Sequence, residues 1–298
     1  MVFIGDVSNQ ELSEKLGEKL GLSVIYPDIH IFPDGEQRIY IQESLGGEDA
    51  IVLKSLTPPV DSNFMQLLLE LNALRESSSG MVTVVIPYLG YQRADHTFRV
   101  GEAASLRVVI DSLESQKIDR VILLDPHSVK IPEMFTVPTT DLSALSLFAD
   151  KIRQIVPDLS TLTVVSPDMG GIRRIKLISE MLGVEYGMIE KDRDVETGNI
   201  KVAGIHGAAV RETVCIVDDM ISSGKTMVQA INAYHNQGAE NIYAFATHPV
   251  LSENSTDILE NSPVKKVFVT DSIGIPQEKL FSKLEVLSVA ELMAAAIK

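Results

Sequence analysis

The sequence predicts an α/β protein built from two doubly wound parallel-sheet domains. Three observations carry that prediction. Short apolar runs rich in β-branched residues alternate with longer amphipathic stretches along the whole chain, the pattern of strands buried on both faces and covered by helices. At 298 residues the chain has room for about two domains. Several strand-like runs pass directly into short Gly-, Ser- and Asp-containing loops that open a helical pattern, which is where such sheets bind ligands.

In order, Met1–Ile4 reads as a strand, and Ser8 with Glu11 as a capping box ahead of a helix over Leu12–Leu20. Ile51–Leu53 is a strand, broken by Pro58 and Pro59. A helix follows over Asn63–Ser77, with Phe64, Leu67, Leu68, Leu71 and Leu74 on one face. Met81–Ile86 and Arg120–Leu124 are strands around a helix over Ser105–Ser112. The second half repeats the rhythm: a helix near Leu142–Ile155, strand Leu162–Val165, helix Ile172–Leu182, and strands Tyr186–Ile189 and Val214–Val217. Helix Thr226–Gln237, strands Ile242–Ala246 and Val267–Thr270, and an Ala-rich amphipathic helix over Ser288–Lys298 complete it. With no Gly/Ser-rich linker to mark the join, the expected boundary is at Pro138-Thr139-Thr140-Asp141. That gives domains 1–141 and 142–298, the last helix being able to pack on either.

Composition narrows the functions. Hydrophobic residues make up 45% and aromatics only 5%, with no Trp, so the core is expected to be aliphatic. Lys and Arg total 26 against 41 Asp and Glu, a net charge of −15. That balance argues against nucleic-acid and anionic-membrane partners. It does not forbid a polyphosphate substrate, because charges beyond roughly 8 Å are screened at physiological salt and local cations decide. Cys215 is the one cysteine. It sits in a strand-like run, fits a small core residue better than a nucleophile, and excludes an intrachain disulfide. No stretch has the ~20 apolar residues of a membrane helix, and the first residues lack signal-peptide features. A cytoplasmic protein is expected.

The most informative run is Val214 to Thr226. A buried strand ends at two adjacent carboxylates, Asp218 and Asp219, and Ser222-Ser223-Gly224-Lys225-Thr226 leads into a helix. Small residues let backbone N–H groups close on a phosphate, and the helix N-terminus adds a positive dipole. The acids suit sugar hydroxyls or a bound cation. A Walker A loop would need glycine where Asp219 stands.

Further segments follow other strand ends. Phe32-Pro33-Asp34-Gly35-Glu36 is a turn pattern. Tyr91-Gln92-Arg93-Ala94-Asp95-His96 puts an arginine just past a strand, where it can meet a phosphate or stack on a base. Asp125-Pro126-His127-Ser128 offers an imidazole to a cation or a phosphate oxygen, or for a structural hydrogen bond. Pro167-Asp168-Met169-Gly170-Gly171 places an acid at a strand end. Glu190 to Asn199 is almost wholly charged, and is expected to be a mobile loop: either a solvated surface or a lid that brings Lys191 and Arg193 onto a reacting phosphoryl group.

Taken in order, these segments resemble the ribose-phosphate diphosphokinase (phosphoribosyl pyrophosphate synthetase) family. The likeness spans nearly the whole chain and also takes in Val60-Asp61-Ser62-Asn63, Gly101 to Ser105, Thr247-His248 and Thr270 to Ile273. It implies domains of type I phosphoribosyltransferase fold and transfer of the β,γ-diphosphoryl group of ATP to the C1 hydroxyl of ribose 5-phosphate. By resemblance, Lys191 and Arg193 are catalytic. Asp34, Gly35, Glu36, Arg93, Ala94, Asp95 and His96 serve ATP, the first three reaching in from a neighbouring subunit of a homo-oligomer. Asp218, Asp219, Ser222, Ser223, Gly224, Lys225 and Thr226 hold ribose 5-phosphate, and His127 and Asp168 belong to the Mg²⁺ site. The sequence departs from the family pattern at Ala94, usually Gln, at His96, often basic, at Ser223, usually Thr, and at Lys225, usually Gly. The alternatives implied are an inactive regulatory homologue and a phosphoribosyltransferase.

Overall fold

The computed structural model describes residues 1–42, 45–77, 80–97, 99–193 and 200–298; the side chains of residues 190–193, 200–203 and 205 lie outside that description. The chain divides into two compact units. One is Met1–Leu142 with Ser272–Gly274 and Ser288–Lys298; the other is Ser143–Asp271 with Ile275–Leu287.

The first unit begins with β1 (Val2–Ile4), α1 (Gln10–Leu20) and β2 (Val24–Ile25), then β3 (Asp28–Ile31) and β4 (Gln37–Tyr40). β5 (Ala50–Leu53), α2 (Val60–Glu76), β6 (Val82–Ile86), α3 (Ser105–Ser115), β7 (Arg120–Leu124) and β8 (Thr139–Leu142) follow. Six strands form one sheet in the order β2-β1-β5-β6-β7-β8 among the described residues, every neighbouring pair parallel. β5 is buried along its whole length. Uninterrupted apolar runs of this sort are what a sheet covered on both faces requires. α2 lays Leu67, Leu71 and Leu74 against the sheet, with Phe64 and Leu68 at the margin.

The N-terminus of α1 departs from expectation. Asn9, not Ser8, caps the helix, its side-chain oxygen accepting from Leu12 N at 3.4 Å. Ser8 instead donates its hydroxyl to Asp6 at 2.7 Å. Asp6 is the stronger acceptor and lies two residues upstream, so it captures the serine that a capping box would need. β3 and β4 form an antiparallel hairpin that the sequence showed only as a turn.

The second unit contains α4 (Leu145–Ile155), β9 (Leu162–Ser166), α5 (Ile172–Leu182), β10 (Tyr186–Arg193), β11 (Ile200–Gly207), β12 (Thr213–Ile221), α6 (Lys225–Asn236), β13 (Asn241–Pro249), α7 (Ser255–Glu260), β14 (Lys266–Thr270) and β15 (Leu284–Leu287). Its sheet runs β11-β10-β9-β12-β13-β14-β15, parallel except for the antiparallel β10–β11 pair. The helix expected from Leu142 starts only at Leu145, because Thr139–Leu142 pairs with β7. α8 (Ala290–Ile297) belongs to the first unit and packs on α1.

The core is largely aliphatic; Phe3 in the first unit and Tyr234 in the second are fully buried aromatics, and the second unit also holds an aromatic stack. Phe245 and Phe268 lie 4.7 Å apart at 19°, with Phe148 5.5 Å from Phe245.

Strand order locates the ligand crevices. In the second unit the direction of winding reverses between β9 and β12, so the crevice opens beyond their carboxyl ends. In the first unit it reverses between β1 and β5, but that position is filled. The fully buried Lys54 ammonium lies 3.4 Å from Asp6 and 3.6 Å from Glu70 and donates to Gln66 at 2.9 Å. Asp6 also accepts from Ser55 N at 2.9 Å. Ser55 donates to Ser272 O at 2.6 Å, which ties the returning 272–274 segment over the gap. Burial pushes the Glu70 carboxyl up to about 7, against the opposing pull of Lys54.

Candidate functional site

β12 does not end before the two carboxylates. Parallel pairing with β13 continues through Asp218↔Ala246 to Ile221↔Pro249, so Asp218 and Asp219 stand on the strand itself, on opposite faces. Arg174, from the first turn of α5, reaches both: Nη1 donates to Asp218 Oδ1 at 3.3 Å, and Nη2 lies 3.7 Å from Asp219 Oδ1. Asp218 Oδ1 also accepts from Asp219 N at 2.9 Å. Burial first, then the Asp219 charge, holds the Asp218 carboxyl well above the usual carboxylate range; Asp168 pushes the same way and Arg174 opposes.

Asp168 follows β9 on the other side of the crevice. Its side chain accepts from Gly170 N at 2.9 Å, and its carbonyl accepts from Ser166 Oγ at 2.7 Å. Gly171 is required here, since a Cβ would lie 2.2 Å from Ser166 Oγ. Asp168, Asp218 and Asp219 thus share one crevice.

Beyond β12, Ser222, Ser223 and Gly224 turn the chain into α6. Gly224 occupies the N-cap at φ 75° and supplies no side-chain cap, which leaves the first N–H groups of a twelve-residue helix available to an anion. Ser222 is fixed by Ser252, whose hydroxyl is 3.1 Å away and whose N–H donates to Ser222 O at 3.0 Å. Left-handed backbone falls at Gly224, so Lys225 takes the first helical position without strain. Its ammonium pairs with Glu253 at 3.2 Å; the pair is exposed and worth little.

Lys191 and Arg193 lie in β10, paired with Val202 and Ile200 of β11 across a bulge at Glu190/Lys191. Their backbone is therefore strand, not the loop expected; their side chains and residues 194–199 lie outside the described ones. Backbone pairing with β11 holds this charged stretch in a ladder that its own composition did not announce.

In the first unit, Asp34, Gly35 and Glu36 form the tip of the β3–β4 hairpin, all exposed. Asp34 accepts from Glu36 N at 3.1 Å, and Gly35 takes φ 91°. Arg93 and His96 are exposed and Ala94 and Asp95 half-buried on the loop after β6; His127 is exposed after β7. His96 Nδ1 lies 2.5 Å from Asp95 Oδ1. Burial raises the Asp95 carboxyl, but His96 and Ser128 outweigh it and hold it below the ordinary value. Two residues here escaped the sequence reading. Arg174 showed only as half of a basic pair, and Gln92 only as a neighbour of Arg93.

A pair of doubly wound sheets, one ending in twin carboxylates and a small-residue helix start, defines an α/β protein of the type I phosphoribosyltransferase fold. Family models match at residues 1–116, the N-terminal domain of ribose phosphate pyrophosphokinase, and at residues 195–298, the phosphoribosyl synthetase-associated domain. Ribose-phosphate pyrophosphokinase 1 of Streptococcus pneumoniae serotype 4 is 35% identical over 97% of this chain and 90% of its own. The protein of that name from Streptococcus mutans gives the same figures. The crystal structure of phosphoribosylpyrophosphate synthetase from Mycobacterium smegmatis superposes with a TM-score of 0.92 at 31% identity, covering 99% of this chain and 97% of that one. The chain belongs to the ribose-phosphate pyrophosphokinase family, and is a kinase-type transferase of nucleotide biosynthesis. Among the described residues, no helix is long and apolar enough to cross a membrane.

Proposed function

We propose that the protein transfers the β,γ-diphosphoryl group of MgATP to the C1 hydroxyl of ribose 5-phosphate. The observation that carries this reading is the β12–α6 site. A helix N-terminus free of side-chain caps and two carboxylates stand one short loop apart, matched to the phosphate and hydroxyl ends of a pentose phosphate. Residues 222–226 take the 5-phosphate through backbone N–H groups and the Ser222, Ser223 and Thr226 hydroxyls. Asp218 and Asp219 accept from ribose hydroxyls, with Arg174 holding them in place.

The C1 oxygen attacks the β-phosphorus, the bond from that phosphorus to the α,β-bridging oxygen breaks, AMP leaves and the hydroxyl proton is released. Such a transfer needs alignment and charge neutralisation more than covalent participation. Lys191 and Arg193 supply cationic charge to the diphosphoryl group. Arg93, Ala94, Asp95 and His96 serve the nucleotide, as do Asp34, Gly35 and Glu36 from a second copy of the chain. Exposed Ile31, Phe32 and Tyr40 on the hairpin support its burial against such a copy.

The donor set suits Mg²⁺. Asp168 offers a hard carboxylate oxygen near enough to Asp218 to raise that carboxyl. Among the described residues, no three His, Cys, Asp or Glu side chains close on an ion by themselves. The family resemblance assigns the metal to His127 and Asp168, and when bound it would neutralise phosphate charge.

³¹P NMR of the protein with ATP, Mg²⁺ and ribose 5-phosphate tests the reading. AMP and a sugar 1-diphosphate are expected. No turnover would indicate a regulatory homologue, and turnover only with added base and sugar diphosphate a phosphoribosyltransferase.

A further inference from the structure

Gln92 is 1% exposed in a loop whose neighbours Tyr91 and Arg93 are open to solvent. Its Oε1 accepts from the backbone N–H of His127 at 3.0 Å. That bond also fixes the orientation of the amide, since an N–H can be met only by the oxygen. Its Nε2 is buried and, among the described residues, has no hydrogen-bond partner. A buried amide donor left unmet is costly, so the chain retains here a donor that its own atoms do not use.

The surroundings give that donor a purpose. The loop after β6 bears Arg93, Asp95 and His96, and the loop after β7 bears His127. The two are tied twice, by Gln92 to His127 N and by Asp95 to Ser128. Ala94, two residues on, has no side-chain donor. The buried carboxamide therefore stands at the junction of the segments assigned above to ATP and to the metal-bound phosphates.

We propose that Gln92 is a positioning and specificity residue for the nucleotide: its carboxamide oxygen fixes the His127 backbone, and its carboxamide nitrogen donates to a β- or γ-phosphate oxygen of ATP. The proposal rests on the functional reading above and extends it to a residue which that reading leaves without a role. It makes the two halves of one amide separable. Gln92→Glu keeps an acceptor for His127 N–H and loses the donor. Gln92→Met keeps the length and loses both.

The test is calorimetric titration of the full-length protein and both variants with MgATP and, separately, with AMP. Hydrogen exchange at the His127 amide and steady-state kinetics accompany it. Loss of a hydrogen bond to a charged oxygen predicts a MgATP Kd raised about tenfold or more in both variants. AMP and ribose 5-phosphate affinities should stay within about twofold, since neither presents those oxygens. The His127 amide should exchange faster in Gln92→Met only, with a lower kcat to match. A merely structural role would move the exchange and the melting temperature without separating ATP from AMP.

MgATP Kd values within about twofold of wild type in Gln92→Glu, as expected if a buried water serves Nε2, would overturn the proposal even if Gln92→Met folds poorly. A wild type that binds MgATP yet forms no sugar diphosphate would sink the functional reading, while the variant Kd values still decide this one. A wild type that binds no ATP would overturn both.

Discussion

Replacing Glu70 with glutamine should make the protein more stable at pH 8 than at pH 5, relative to wild type. Glu70 is buried on α2, with its carboxylate oxygen Oε1 3.6 Å from the Lys54 ammonium and Oε2 without a hydrogen bond among the described residues. Burial raises its pKa from 4.5 to about 7. Between those values the folded chain holds a proton that the unfolded chain has released, so wild-type stability falls as pH rises through the interval. At about 1.4 kcal/mol per pKa unit the loss is on the order of 3 kcal/mol. The substituted amide mimics the protonated acid at every pH and lacks this slope. Urea unfolding at pH 5, 6, 7 and 8 measures the difference in midpoint. A Glu70→Gln advantage that grows with pH supports the reasoning. A constant difference, or one that shrinks, would show that Lys54 keeps Glu70 ionised and that the network is an ordinary ion pair.

Other consequences are as direct. Lys191→Ala should lower kcat about 10²-fold or more with far smaller changes in KM, as expected for charge stabilisation in the transition state; steady-state kinetics reads it, and near-normal kcat would remove Lys191 from the mechanism. Asp218→Asn relieves a buried like-charge contact while its Oδ1 still accepts from Asp219 N and Arg174, so the melting temperature should rise by about 2–4 °C per kcal/mol gained while turnover drops; scanning calorimetry with the assay checks both. Gly224→Ala forces a Cβ into left-handed backbone at φ 75°, costing about 1–2 kcal/mol and raising KM for ribose 5-phosphate more than KM for ATP.

The parallel sheets were legible because their strands are continuous β-branched runs, and α5 was legible at both ends because Gly171 and Gly183 bracket an amphipathic stretch. The β3–β4 hairpin was not, since its residues are largely exposed and carry no buried alternation. Asp218 and Asp219 were expected beyond a strand end because carboxylates are poor strand formers. Parallel pairing with β13 overrides that preference, and the strand carries the acids to the crevice. Arg174 and Gln92 carried no signal of their partners. One finds its partners 44 residues away and the other 35, distances that only the winding of the sheets closes.

The central claim is that a pentose 5-phosphate seats its phosphate on the start of α6 and its hydroxyls on Asp218 and Asp219. A crystal structure of the protein with ribose 5-phosphate tests it most directly. The account predicts phosphate density within hydrogen-bonding distance of the backbone N–H groups of residues 222–226, with ring hydroxyls facing the two carboxylates. A sugar phosphate seated elsewhere, with that helix start bare, would contradict it.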